Sequence, residues 1–382
     1  MKNVYLDSAA TTQMRDEVIN RMTSVMKEVY GNPSSTHSFG RSAKSLIEQA
    51  RKTVAGYLNV KASEIVFTSG GTEADNLALN SAVRDLGVKR IITSKIEHHA
   101  VLYTVEQLQD CFDVEVVYVD LDSCGNVKET HLEELLKTSD KKTLVSLMHV
   151  NNEIGNKLDI KKVGQLCKEH GAIFHSDCVQ SVGHYDLDFS EIPVDFTAVS
   201  AHKFHGPKGV GFAFIRKNSG LKPLIFGGEQ ERGHRAGTEG VHNIVGLEEA
   251  LKLSLDNLAE EKAYISDLKA HFIEKLKSEI PGVKFNGDCS DLEKSTYTLV
   301  NVCLPVPEDK ALMLLFQLDL KGIACSKGSA CQSGSDKGSH VLSAFLEEED
   351  LKKPSVRFSF SRFNTKEELD YVVKTLKEFI ES

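Results

Sequence analysis

The chain has 382 residues, of which 41% are hydrophobic and 26% are charged, enough for a large core and two domains. Its formal net charge of −9 argues against nonspecific nucleic-acid binding, which needs a basic face. No apolar run in the sequence reaches the roughly 20 residues of a membrane-spanning helix, and the N-terminus lacks a signal-peptide apolar segment. We therefore expect a cytoplasmic protein.

Strand-like and helical segments alternate along the first two thirds of the chain. The pattern predicts strands over residues 64–68, 90–93, 114–119, 143–148, 172–175, 196–199 and 211–215. Between several of them it predicts helices over 73–84, 131–136 and 160–170. Such alternation is typical of an α/β fold with a mostly parallel sheet and helices on both faces.

The C-terminal third has a different pattern. Leu, Ala and Ile recur at three- and four-residue spacing from about residue 243 to 280, which predicts one long helix that ends at Pro281-Gly282. β-rich segments follow at 297–302 and 355–360. We expect a second, smaller α+β domain that is joined to the first through this helix.

Polar clusters follow several of the predicted strands. In open α/β sheets, ligands bind at the carboxyl ends of the strands. The clusters here are Ser69-Gly-Gly-Thr72, Glu97-His-His99, Asn151-Asn-Glu153, Asp177 and Ser200-Ala-His-Lys203.

Lys203 and Asp177 are the most informative pair. A binding site for pyridoxal phosphate (PLP) needs a lysine at the end of one strand and an acid at the end of a neighbouring strand, as these two residues are predicted to be. The lysine forms a Schiff base, and the carboxylate keeps the pyridine nitrogen protonated so that the ring acts as an electron sink. Gln180 is placed to donate to the ring hydroxyl oxygen. The alternative for Asp177 is a helix N-cap after a strand.

A phosphate needs donors close to this lysine. Gly71 and Thr72 lie where a strand turns into a helix, and the backbone amides of such a turn form an anion site. Ser200, His202 and Thr238 add hydroxyl and imidazole groups. The alternatives are an ordinary turn with a Thr cap and, for His202, a structural histidine.

Three further residues are candidates for contacts with the ring or the substrate. His98 could stack on the ring and shuttle protons, since a histidine has an ordinary pKa of about 6.5. Asn152 could contact the cofactor or a substrate carboxylate. The Arg357 guanidinium could bind an α-carboxylate through two parallel hydrogen bonds, or form only a surface ion pair.

The eight cysteines include no Cys-x-x-Cys pair, so we expect neither a zinc ribbon nor any other metal site. Most suit small hydrophobic positions in a reducing cytosol. Cys331 differs because its neighbours, residues 326–340, are rich in Gly and Ser, which favours an exposed, mobile nucleophile. Cys325 follows an apolar strand end and is interpreted as a bystander.

Taken together, these residues resemble the cysteine desulfurases, which are fold-type I PLP enzymes of the class V aminotransferase family. The similarity runs nearly end to end, and Gly328-Ser-Ala-Cys331 is similar to the NifS/IscS-like group I type. The other motifs that carry it are Tyr5-Leu-Asp-Ser-Ala-Ala-Thr-Thr12, Gly31-Asn-Pro-Ser-Ser35, Thr72-Glu-Ala-Asp-Asn76, Asn151-Asn-Glu-Ile-Gly155, the His202-Lys203 segment and Arg235-Ala-Gly-Thr238.

This resemblance implies a large PLP-binding domain over residues 16–260, with a seven-stranded sheet, and a small domain made of 1–15 and 261–382. It implies that Lys203 carries the cofactor and that Cys331 forms the persulfide. It further implies a homodimer in which Thr238 contacts the phosphate bound by the other subunit. The remaining roles it implies are ring stacking for His98, ring contacts for Asp177 and Gln180, phosphate binding for Thr72, Ser200 and His202, and carboxylate binding for Asn152 and Arg357.

The expected activity is conversion of L-cysteine to L-alanine, with the sulfur passed from Cys331 to an acceptor such as an iron–sulfur scaffold or to tRNA thiolation. A selenocysteine lyase would keep the same residues. An ordinary aminotransferase would have no use for a mobile cysteine, and a non-catalytic scaffold would have no use for an intact lysine, aspartate and histidine.

Overall fold

The structure is a computed structural model that describes residues 3–327 and 338–382. The elements up to the end of the large sheet are β1 (Val4–Tyr5), α1 (Asp16–Glu28), α2 (Ser38–Tyr57), β2 (Ile65–Thr68), α3 (Gly71–Arg84), β3 (Arg90–Thr93), α4 (His99–Cys111), β4 (Glu115–Tyr118), α5 (Glu129–Lys137), β5 (Thr143–Ser146), α6 (Ile160–Glu169), β6 (Ile173–Asp177), β7 (Phe196–Ser200) and β8 (Gly211–Ile215). The later elements are α7 (Val241–Asp256), α8 (Leu258–Glu279), β9 (Lys284–Phe285), β10 (Leu299–Cys303), α9 (Glu308–Ala311), α10 (Leu314–Leu320), β11 (Ile323–Ala324), α11 (His340–Ser343), α12 (Glu348–Leu351), β12 (Ser355–Ser359) and α13 (Lys366–Glu381).

Seven strands form the large sheet in the order β2-β8-β7-β6-β5-β3-β4. The pairs that involve β8 are antiparallel, and the other four pairs are parallel. The α/β prediction with a mostly parallel seven-stranded sheet is therefore confirmed. β6 and β7 are parallel neighbours in which Asp177 pairs with Ala198, so their carboxyl ends meet at one edge.

Helices cover the sheet because its strands are apolar on both faces. Every residue of β2, β3, β5, β7 and β8 is buried, as expected for strands packed on two sides. One apolar cluster joins Phe174 of β6 to Ile47 of α2 and Leu247 of α7. Another joins Ile91 of β3 to Val101 of α4.

A separate core forms around β10, which pairs with β9 and β12. Helices α8 and α13 pack on it through Phe272 and Leu376. Val4 and Leu6 also lie in this core, and β1 pairs with β11 in parallel. The N-terminal segment thus packs with the C-terminal third, in line with the small domain predicted from 1–15 and 261–382; the exact boundaries stay a prediction.

The single helix predicted over residues 243–280 is wrong. α7 ends at Asp256 and α8 starts at Leu258. Between them, Asn257 leaves helical geometry at φ −106° and ψ 12°, and its side-chain amide donates to the carbonyl of Leu253 at 2.8 Å. A short polar side chain that bonds nearby backbone competes with helix continuation.

Among the helices within residues 3–327 and 338–382, none combines the length and the apolar character needed to cross a membrane.

Candidate active site

A cavity of about 190 Å³ opens at the carboxyl ends of β6 and β7. It brings together most of the site residues that the sequence predicted. Those that line it are Gly71, Thr72, His98, Asn152, Asp177, Gln180, Ser200, His202, Lys203 and Arg357.

Lys203 follows β7 in a short 3₁₀ turn, Ala201–Lys203. Its Nζ donates to the carbonyls of Ala9 at 2.6 Å and Ala10 at 2.9 Å. Gln180 Nε2 also donates to the Ala9 carbonyl, at 2.9 Å. The N-terminal segment therefore forms part of the cavity wall. This role could not be predicted from the sequence, because backbone carbonyls leave no side-chain signal.

Asp177 is the last residue of β6 and is almost fully buried. Its Oδ1 accepts from the backbone N–H of Val179 at 2.8 Å. The element that follows β6 is β7 rather than a helix, so the alternative of a helix N-cap is wrong. Burial raises the pKa of Asp177 to about 6, although the Val179 N–H and the Lys203 charge act in the opposite direction. A cationic ring nitrogen in the cavity would favour the ionised form.

The end of the cavity that was predicted to bind phosphate lies where β2 turns into α3. Gly70 has φ 155°, a geometry that favours glycine. A Cβ on Gly71 would lie only 2.5 Å from Val179 Cγ2, inside the space that the cavity wall occupies. The first N–H groups of α3 have no partner within the helix, so they and the Thr72 and Ser200 hydroxyls suit an anion.

His202 completes this end of the cavity. Its Nδ1 lies 3.2 Å from Thr11 Oγ1. Burial lowers the pKa of His202 to about 4, and the charges of Lys203 and Lys208 lower it further. The ring is therefore neutral near pH 7 and can donate one hydrogen bond.

His98 caps helix α4. Its Nδ1 accepts from the backbone N–H of Ala100 at 3.1 Å. Burial, followed by the charges of Lys203, His99 and His340, lowers the pKa of His98 to about 4. The imidazole is neutral near pH 7, and its proton sits on Nε2.

Arg357 lies in β12, lines the same cavity as Lys203, and is 1% exposed. Its Nη1 donates to the backbone carbonyl of Asn152 at 2.7 Å, and its Nη2 donates to Asp7 Oδ1 at 2.9 Å. The alternative of a surface ion pair is wrong because the guanidinium is buried. Asp7 was not predicted as a site residue.

Asp75 is a second acid that the sequence analysis did not assign. It lines the cavity, is 1% exposed, and lies 3.3 Å from His175 Nε2 through its Oδ1. Burial and the nearby carboxylates of Asp177 and Glu97 raise its pKa well above the ordinary range. Its place beside Thr72 on α3, one helical turn along, is a signal that could have pointed to it.

One of the predicted residues lies elsewhere in the described structure. Thr238 lines a different cavity of about 170 Å³, with Ser69 and Arg235. Cys331 lies outside the described residues. The Nε2 of His340 lies 2.9 Å from the carbonyl of Glu97, the residue before His98.

Similarity to known proteins agrees with this geometry. The family model for class-V aminotransferases matches residues 4–372. This chain belongs to that family.

Individual relatives indicate the group within this family to which the chain belongs. The cysteine desulfurase IscS of Dictyoglomus turgidum is 41% identical, over 100% of this chain and 95% of the relative. The cysteine desulfurase IscS of Clostridium botulinum strain Kyoto is also 41% identical, over 99% of this chain and 94% of the relative. The predicted membership in the cysteine desulfurases is confirmed.

Solved structures support the same assignment. A NifS-like protein matches with a TM-score of 0.90 at 35% identity, covering 100% of both chains. A structure described as SspA in complex with cysteine matches with a TM-score of 0.81 at 31% identity, covering 95% of this chain and 100% of that one.

The family is PLP-dependent, and the cavity fits that cofactor. It offers an amine at Lys203, an acid at Asp177 for a ring nitrogen, and an anion site at the start of α3. It has no space for a side chain at position 71.

Proposed function

We propose that this chain is a PLP-dependent cysteine desulfurase that converts L-cysteine to L-alanine and collects the sulfur on Cys331. The observation that carries the proposal is the cavity that holds Lys203, Asp177 and Arg357 together. These residues supply a cofactor-binding amine, an acid for the pyridine nitrogen and a cation for the substrate carboxylate.

The cofactor-binding residues divide by the part of PLP that they would hold. Lys203 Nζ would bind the aldehyde carbon, Asp177 the ring nitrogen and Gln180 the ring hydroxyl. His98 would stack on the ring. Gly71, Thr72, Ser200 and His202 would bind the phosphate. When bound, PLP withdraws electrons from the α-carbon of an amino acid.

The chain's own groups then move the protons and the sulfur. Arg357 and Asn152 hold the α-carboxylate of L-cysteine in place, and Lys203 Nζ moves the α-proton. The Cys331 thiolate attacks the substrate sulfur, so that the substrate C–S bond breaks as the new S–S bond forms. The electron pair of the broken bond stays on the substrate β-carbon, which takes up a proton delivered through His98 Nε2 to become the methyl group of alanine. The products are alanine and a persulfide on Cys331.

We further propose a homodimer, in which Thr238 of the partner subunit contacts the phosphate. Two observations support it: Thr238 lines a cavity of its own rather than that of Lys203, and the aromatic side chains of Tyr30 and Phe226 are 74% and 75% exposed. Exposed apolar groups of this kind suit a subunit contact. The proposal also includes a cytoplasmic location and an iron–sulfur scaffold or tRNA-thiolation protein as the sulfur acceptor.

The test is intact mass measurement of the holoenzyme after brief exposure to L-cysteine. We expect a gain of one sulfur atom, located at Cys331 by peptide mapping. Cys331→Ser should keep the cofactor absorbance and lose both the persulfide and alanine formation. Lys203→Ala should no longer retain the cofactor after borohydride treatment.

The matched control is Cys325→Ser. Burial raises the pKa of the Cys325 thiol to about 12, which keeps it unreactive, so this variant should form the persulfide normally. Undiminished alanine formation by Cys331→Ser would show that the nucleophile is another group.

A further inference from the structure

Asp7 connects three parts of the chain through one carboxyl group. Its Oδ1 accepts from Arg357 Nη2 at 2.9 Å and from Ser326 Oγ at 2.8 Å. The backbones of Ser326 and Arg357 also bond to each other, with Arg357 N donating to the Ser326 carbonyl at 2.7 Å. Asp7 thus joins the N-terminal segment, β12 and the stretch of chain that leads toward Cys331.

The guanidinium of Arg357 is fixed at two corners. Nη1 is held by the carbonyl of Asn152 and Nη2 by Asp7. A guanidinium has five N–H groups in a rigid plane, so two such contacts set the direction of the remaining three. Among the described residues, Nε of Arg357 has no hydrogen-bond partner although it is buried. The plane is therefore set, and the side chain that carries the remaining N–H groups lines the cavity.

Asp7 has two opposite effects on the binding of a substrate carboxylate. Its negative charge repels an incoming anion, but its hydrogen bond holds the cation that the anion needs. The Arg357 side chain is 2% exposed and the Asp7 side chain 18% exposed. Solvent screens the through-space repulsion from the more exposed group, whereas a direct contact to a buried guanidinium is screened little. Without Asp7, Arg357 would be a buried charge with less compensation.

We propose that Asp7 is a positioning residue for substrate binding, which holds the Arg357 guanidinium in the orientation that an α-carboxylate requires. The inference rests on the proposed function, in which Arg357 binds the substrate carboxylate. It predicts that Asp7 acts on ligands that carry a carboxylate and leaves other ligands unaffected.

The experiment compares L-alanine with L-alaninamide, which has the same amine and size but no carboxylate. Binding to the holoenzyme is followed through the change in cofactor absorbance. Asp7→Ala should weaken L-alanine binding about tenfold, the loss of one charge-assisted contact, and change L-alaninamide binding less than about twofold. The KM for L-cysteine should rise in parallel, with kcat little changed.

Two conservative variants separate position from charge. Asp7→Asn keeps an oxygen acceptor in place and should restore most of the L-alanine affinity. Asp7→Glu keeps the charge but displaces it by one methylene, and should weaken L-alanine nearly as much as Asp7→Ala. Because both retain a polar group at this position, they also provide the test if Asp7→Ala fails to fold.

Glu261→Gln is the matched control. Glu261 pairs with Arg15 at 2.8 Å, with side-chain exposures of 15% and 2%, so it resembles the Asp7–Arg357 pair in burial and geometry but does not touch Arg357. It should leave the ratio of L-alanine to L-alaninamide affinity unchanged.

Arg357→Ala tests whether Arg357 binds the carboxylate, separately from whether Asp7 positions Arg357. If it leaves that ratio unchanged, the carboxylate site of the proposed function is misassigned. If it lowers the ratio while Asp7→Ala weakens both ligands equally, or tightens L-alanine, the positioning role of Asp7 is overturned.

Discussion

The two ring nitrogens of His98 have different surroundings. Nδ1 accepts the Ala100 N–H at the start of α4, while the rest of the ring lines the cavity. An acceptor nitrogen cannot carry a proton in the same bond, so a neutral His98 holds its proton on Nε2. Such a ring can donate toward the substrate, but it accepts a proton at Nδ1 only after the helix cap breaks.

We predict that His98 in the holoenzyme stays neutral, with the proton on Nε2, from about pH 8 down to about pH 5. Its pKa is lowered to about 4, chiefly by burial, so protonation occurs only as the pH falls through that value. The ¹⁵N chemical shifts of the labelled imidazole measure both properties.

Ala100→Pro removes the N–H and should allow both tautomers, whereas Ala100→Gly keeps the N–H and should leave the shifts unchanged. Proline is tolerated in the first turn of a helix. Titration of wild-type His98 near its ordinary pKa, or a dominant Nδ1–H form, would contradict this assignment.

The sequence predicted side chains that line the cavity, because the expected chemistry requires particular residue types. Lys203 and Asp177 were predicted from their places at strand ends, and Arg357, which lies within β12, from the affinity of a guanidinium for a carboxylate; all three line one cavity. Ala9 and Ala10 contribute backbone carbonyls, and Asp7 acts through another side chain. Such roles depend on three-dimensional contact and have no residue-type signal.

At the scale of elements, the end of the cavity proposed to bind phosphate depends on close packing between β8 and the turn that precedes α3. Gly211 starts β8, where it pairs with Ser200 on one side and Thr68 on the other. A Cβ at this position would lie 2.1 Å from the carbonyl oxygen of Val199 and 2.8 Å from Gly70 Cα. Both are backbone atoms, so the strands themselves would have to separate.

We therefore predict that Gly211→Ala lowers the free energy of unfolding by about 3 kcal/mol or more and weakens PLP binding. Gly56→Ala is the contrasting variant, since Gly56 lies in α2 with no atom within 4 Å of an added Cβ. It should stabilise the protein by about 0.5 kcal/mol. Urea unfolding measures the change in stability, and cofactor titration measures the change in PLP binding. Equal stability of the two variants would show that an added Cβ at position 211 does not force the strands apart.

Strand prediction was close because buried parallel strands are short apolar runs. The predicted ranges 90–93 and 211–215 coincide with β3 and β8. Helices α1 and α2 were not predicted, although Val18, Met22 and Val25 of α1 recur at helical spacing on its buried side. The break at Asn257 could not be predicted, because the apolar spacing continues on both sides and only a local side-chain bond interrupts the helix.

At the scale of the whole molecule, the position of Thr238 bears on how many chains form one active site. Its loop is held by the ion pair between Arg235 and Glu73, at 2.9 Å, and Thr238 lines a second cavity together with Ser69. In the proposed homodimer this loop serves the neighbouring chain.

Subunit mixing tests that arrangement. Lys203→Ala removes the cofactor amine from its own cavity, and Thr238→Glu places a negative charge against the phosphate in the partner's cavity. Each homodimer should be inactive or nearly so. A mixed dimer has one site with both native residues, so denaturing and refolding the two variants together should restore desulfurase activity.

The control is refolding each variant alone, which should restore nothing. Native mass spectrometry verifies that mixed dimers form. If they form and remain inactive, Thr238 does not act across subunits.

The carbonyls of Ala9 and Ala10 that hold the Lys203 amine belong to a stretch whose Val4 and Leu6 anchor the second core. Proteolysis, or internal translation initiation at Met14, would remove residues 1–13. The chain would still contain Lys203, Asp177 and Cys331, but it would lack these carbonyls and lose its activity. A trimmed polypeptide could then pass unnoticed on a gel. Checking the length of the amino end of a preparation is accordingly a check on the integrity of its catalytic centre.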